Sequence, residues 1–179
     1  MSEVSFRPMA IEDAGRFSNA FAAIGWSKPK SQFLDYVAAE ESGLRWTRVA
    51  ECDGAPVGYV TVIWASSDPV FAEAGVPEVM DLNVLPDYRG RGIGSALMEA
   101  AERIALQRAG AVGLRVGLHS GYGAAQRLYI KRGYMPDGTG VLAGRTSPDE
   151  GATVTLDDDL TLRLFLERGS RLVKRHAQP

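Results

Sequence analysis

Asp81-Leu82-Asn83-Val84-Leu85-Pro86-Asp87-Tyr88-Arg89-Gly90-Arg91-Gly92-Ile93-Gly94-Ser95-Ala96-Leu97-Met98-Glu99-Ala100-Ala101-Glu102 decides how this chain is read. A short apolar strand ends at Pro86, a turn of glycine and arginine follows, and a helix opens. Glycine lets the backbone turn tightly and lets a ligand come close, because no β-carbon intrudes. The first amides of the new helix have no partner within it, and the helix dipole adds partial positive charge there. Arg89 and Arg91 bring full charge to the same place. The segment is shaped for a phosphate or pyrophosphate.

Two common phosphate motifs are excluded. A P-loop needs Gly-Lys-Ser/Thr, which is absent. The dinucleotide fingerprint needs Gly-x-Gly-x-x-Gly, whereas Gly90, Gly92 and Gly94 alternate. About one strand further on comes a second patterned segment. Ala111 to Leu118 reads as a strand, and Ala124 to Arg132 as a short helix closed by Gly133, a favoured residue just past a helix end. On that helix Ala125, Leu128 and Tyr129 share one face, and Arg127 and Lys131 point away.

Together the two segments resemble the GNAT superfamily of acyl-CoA-dependent N-acyltransferases, in an uncharacterised bacterial-type subgroup. Arg89-x-x-Gly92-x-Gly94 is similar to the superfamily's motif A, whose loop holds the pyrophosphate of coenzyme A. Ala125, Leu128, Tyr129, Lys131, Gly133 and Tyr134 match motif B in register. One position departs: Tyr122 stands where members often carry Asn. The resemblance covers about Glu78 to Tyr134. It implies acetyl-CoA as cosubstrate, with coenzyme A as product and direct acetyl transfer to a primary amine of a small molecule or peptide. It also implies a cofactor site made of Leu82, Asn83 and Val84, through their main chain, and of Arg89, Gly90, Arg91, Gly92, Ile93, Gly94 and Ser95.

The same resemblance implies two catalytic residues, Tyr129 and Glu78. A phenol can donate a proton to a leaving thiolate, and motif B puts Tyr129 in the general-acid place. Glu78 lies six residues before Val84, where several superfamily enzymes carry a catalytic acid-base residue. In a regular strand Glu78, Met80, Leu82 and Val84 share a face. A one-residue bulge would bring Asp81 there instead. Glu78 is the favoured proton acceptor and Asp81 the alternative. His119 has a pKa suited to acid-base work but reads better as a strand-end histidine. Trp26, Trp64, Phe71 and Tyr122 are candidates for an acceptor wall, with Glu73, Glu78 and Asp81 favouring a cationic amine.

Composition and order fit one domain over residues 1–179. The chain is 45% hydrophobic and 23% charged, ordinary for a globular enzyme. A net charge of −2 gives no sign of a nucleic-acid partner. No apolar run approaches a membrane span. The N-terminus lacks an apolar signal region, and Cys52 is the single cysteine, so a reducing, cytoplasmic setting is expected. A metal site is not expected from two histidines and one cysteine, and Asp157-Asp158-Asp159 reads as a solvated strand edge or turn. A homodimer is among the assemblies open to it.

The elements run strand, helix, helix, three strands, helix, strand, helix, two strands. This order reads as α/β with a mixed, mostly antiparallel sheet, and the resemblance implies a single-domain GNAT fold with about four flanking helices. Ser66 to Gly75 reads as an irregular loop, and the basic tail from about 170 to 179 as a frayed end. A non-catalytic acyl-CoA-binding module is the alternative function.

Overall fold

The computed structural model describes residues 4–169; the basic tail lies outside them. Seven strands form one sheet in the order β1-β2-β3-β4-β5-β7-β6. The strands are β1 (Val4–Arg7), β2 (Arg45–Cys52), β3 (Ala55–Ile63), β4 (Glu78–Val84), β5 (Ala111–Gly117), β6 (Met135–Ala143) and β7 (Leu160–Glu167). The helices are α1 (Ile11–Ala23), α2 (Lys30–Glu41), α3 (Pro69–Glu73), α4 (Ile93–Arg108) and α5 (Gly123–Arg132). Every strand neighbour is antiparallel except β4 and β5. Among the described residues no helix is long and apolar enough to cross a membrane.

Each sheet face buries its own helical layer. On α1 and α2, Phe17, Phe21, Phe33, Tyr36 and Val37 recur at helical spacing and close over Val49 and Tyr59, as amphipathic helices do on a sheet. On the other face Ile93, Leu97, Met98, Ala101 and Ala105 of α4 cover Val60, Val62, Val112 and Leu114. Alternation along β3 explains the division, because successive side chains point to opposite faces.

The expectation of an irregular loop over residues 66–75 is corrected: it contains the helix α3. Asp68 caps it by accepting from the Val70 amide at 3.0 Å, and Pro69 occupies its first turn. Cap and proline are a helix start signal, but five residues are too few to show a period. Phe71 anchors the turn beneath β5 and β7, 5.0 Å from the Phe165 ring.

The site depends on how β4 meets its neighbours. The β3–β4 register slips between Tyr59 and Thr61, which face Asn83 and Met80. Two residues of β4, Asp81 and Leu82, therefore oppose one of β3, Val60, and Asp81 takes φ 50°. This is the one-residue bulge that a regular strand lacks, and it increases local twist. Asp tolerates the left-handed region better than most residues. On its other edge β4 pairs with β5 at one position only, Glu78 opposite Gly113. Beyond that pair the strands part, while β5 keeps full-length pairing with β7 on its other edge. The gap between them is a cleft of about 1230 Å³.

Candidate active site

The cleft is lined by β4 from Glu78 to Val84, the glycine turn, the end of β5, and α5 through Tyr129. Two distant motifs thus face each other across the opening. Leu82, Asn83 and Val84 lie on the β4 edge that has no strand partner, and the Val84 carbonyl accepts from Arg89 Nε at 2.9 Å.

Gly92 caps α4 at φ 82°, a conformation that costs any L side chain steric strain. No capping side chain bonds to the helix end, and its first turn holds no acidic residue. Ile93, Gly94 and Ser95 border the cleft, and their helix end has no capping side chain. Anions are stabilised at such an end by the amides and the dipole. Arg89 lies beside them, its guanidinium 5.5 Å from the Trp26 ring. Arg91 donates to the Asp87 carbonyl at 2.9 Å and sits over Tyr88; it flanks the turn rather than lining the cleft.

Tyr129 is held by the α4–α5 junction. Arg132 forms a two-pronged pair with Glu102, at 2.6 and 2.5 Å. Gly133 then reverses the chain at φ 95°. The Tyr129 ring packs 5.8 Å from Tyr134 and the residue borders the cleft. Burial, with a smaller contribution from Tyr122, pushes its phenol well above the ordinary tyrosine value. The hydroxyl therefore keeps its proton at neutral pH.

Both candidate carboxylates border the cleft, in different surroundings. Glu78 is buried; Ser66 Oγ donates to it at 2.5 Å and Arg115 Nε lies at 3.4 Å. Asp81 is half-buried, lifted by the bulge toward α2. It accepts from the Tyr36 hydroxyl, and Lys28 Nζ lies 3.8 Å from its Oδ1. Asp81 directly precedes Leu82 to Val84, whose main chain forms the open edge of the strand.

The far wall comes from the end of β5 and the turn before β7. His119 Nδ1 accepts from the Gly121 amide at 3.1 Å, which leaves Nε2 to donate to Asp158 at 2.9 Å. Bonds from His119 and then Tyr122 hold the Asp158 carboxyl below the usual range. A β-carbon on Gly117 would come within 2.4 Å of the Tyr122 ring, so the glycine lets that ring lie against the strand. Burial first, then Asp158, pushes the Tyr122 phenol up to about 12.

Of the four aromatics expected in an acceptor wall, Trp26 and Tyr122 line the cleft. Trp64 and Phe71 do not: Trp64 lies under Arg108 of α4, and Phe71 is wholly buried. Glu73 is exposed at the end of α3, away from the cleft. Lys28, Ser66 and Arg115 were not singled out from the sequence, and Asp158, read there as part of a solvated strand edge or turn, is bonded to His119 at the cleft wall. The Asp157–Asp159 run carried a signal, as a turn of three carboxylates directly before a strand. Lys28 carried none, since its partners come from other elements.

Comparison with known proteins agrees with the two motifs. The Acetyltransferase (GNAT) family matches residues 16–134, so this chain belongs to the GNAT acetyltransferase family. An uncharacterised N-acetyltransferase of Archaeoglobus fulgidus is 47% identical over 81 residues, 44% of this chain and 51% of that protein. The match thus spans about half that relative's length. The fold is shared with PaiA N-acetyltransferase of Thermoplasma acidophilum, crystallised with coenzyme A. That likeness has a TM-score of 0.62 at 17% identity and covers 93% of this chain and 99% of that one. It is shared too with YncA of Salmonella typhimurium, an acetyltransferase crystallised with acetyl-CoA. There the TM-score is 0.65 at 16% identity, over 98% and 97% of the two chains.

Proposed function

We propose that this acetyltransferase moves an acetyl group from acetyl-CoA to a primary amine of a small molecule or peptide. The observation that carries the reading is the parting of β4 and β5. It leaves an open strand edge between an uncapped helix end and a buried phenol. An extended thioester arm fits beside a free strand edge, and its pyrophosphate suits the α4 amides with Arg89.

When bound, acetyl-CoA supplies an activated acyl carbonyl. The main chain of Leu82 to Val84 orients that carbonyl for attack at close range. Tyr129, kept protonated by burial, donates to the departing sulfur. Asp81, raised into the cleft by the bulge and less buried than Glu78, takes the ammonium proton. Glu78, closed in by Ser66 and Arg115, holds Arg115 at the cleft wall. The low charge and lone cysteine are compatible with a cytoplasmic enzyme working on soluble amines.

A panel of amines incubated with acetyl-CoA, read by release of free thiol, tests this. Release only with certain amines, proportional to enzyme, is expected. Thiol release at the solvent rate with every amine, despite coenzyme A binding, would favour the non-catalytic module.

A further inference from the structure

An amine already borders the cleft. Lys28 lies in the loop between α1 and α2, with its side chain 18% exposed. Its ammonium is 3.8 Å from Asp81 Oδ1, 5.7 Å from the centre of the Phe21 ring and 6.0 Å from that of Tyr59. A carboxylate and two ring faces are the surroundings that attract an alkylammonium group. Its charge is also felt at Asp158 across the opening. Lys28 and Tyr129 border the same cleft. Lys30 and Lys131, by contrast, are exposed and border no part of it.

We propose that Lys28 is a self-acetylation site: its Nζ occupies the acceptor-amine position and takes the acetyl group when no external amine is present. The inference rests on the acetyl-transfer reading above. Asp81 accepts one proton from the ammonium and passes it to solvent. The freed lone pair attacks the thioester carbonyl; the carbon–nitrogen bond forms and the carbon–sulfur bond breaks. The second ammonium proton ends on the sulfur by way of Tyr129, and the third stays on the amide nitrogen. The products are coenzyme A, Nε-acetyl-Lys28 and one released proton. The modified side chain is neutral, so Asp81 loses its cation, and the cage is left with an amide against Phe21 and Tyr59.

The test uses the full chain with acetyl-CoA and no added amine, followed by intact mass and peptide mapping. One acetyl group is expected per chain, at Lys28, with a rate constant independent of protein concentration. Lys28→Arg should abolish it, and Tyr129→Phe should slow it by at least roughly ten-fold. Acetylation of Lys28, Lys30 and Lys131 at similar rates would overturn the proposal, because chemical acylation follows exposure. So would an unmodified Lys28 in enzyme that acetylates an amine from the panel, and that result leaves the acetyltransferase reading standing. If neither Lys28 nor any amine is acetylated, the proposal and the reading beneath it both fall.

Discussion

In the proposed mechanism Tyr129 and Asp81 take opposite roles in proton movement, because their surroundings differ. The phenol is buried where losing its proton is costly, so it remains a donor. Tyr129→Phe keeps the ring packed on Tyr134 and removes only the hydroxyl. Turnover should fall about a hundred-fold or more, with little change in coenzyme A affinity. An unchanged turnover number with a raised KM would make Tyr129 a packing residue. The two carboxylates separate in a pH profile. Asp81→Asn should preserve the bulge, because Asn also tolerates a φ near 50°. It should lower turnover most near neutral pH and be partly relieved at high pH, where more amine is neutral. Glu78→Gln should leave the shape of the profile intact, since Ser66 and Arg115 already occupy that carboxylate. The reverse ranking would return the proton-accepting role to Glu78.

At the scale of elements, α5 is aimed by its junction with α4. The Arg132–Glu102 pair is largely buried, with side-chain exposures of 20% and 10%. Arg132→Met leaves Glu102 without its partner and should cost about 1–3 kcal/mol. For a chain of this size each kcal/mol moves the melting temperature by roughly 2–4 °C. Thermal unfolding should show that drop, and turnover should fall with it as Tyr129 loses its fixed position. An unchanged melting temperature would mean that core packing alone seats α5. The glycine turn and the α5 helix were legible in the sequence because their chemistry is local. A φ of 82° or 95° favours glycine, a helix end exposes its amides, and each signal sits within a few residues. The bulge was legible only as an option. Met80-Asp81-Leu82 has no residue that forces it, and the register with β3 settles its place. The helix α3 was hidden because a single capped turn has no periodicity to read.

Over the whole molecule, what the sequence concealed is what joins distant elements. Glu78 meets Ser66 and Arg115, His119 meets Asp158, and Lys28 meets Asp81. None of these pairs shares an element, so no spacing rule points to them. The order of elements did specify a mixed, mostly antiparallel sheet, because each run of residues favours its own helix or strand by alternation and helical repeat. The parting of β4 from β5 is a property of the assembled sheet, where β4 bulges at Asp81 and β5 runs on in full register with β7. In the proposed reaction that cleft holds coenzyme A with its pyrophosphate at the start of α4. Calorimetric titration of coenzyme A into the parent and into Gly92→Val tests it most directly. Valine at a φ of 82° must strain or move the turn, at a cost of order 1–3 kcal/mol. The parent should bind one coenzyme A per chain, and Gly92→Val should bind it at least roughly ten-fold more weakly while unfolding as one cooperative unit. Equal affinity in the two proteins would contradict the placement of the pyrophosphate, and with it the site built here.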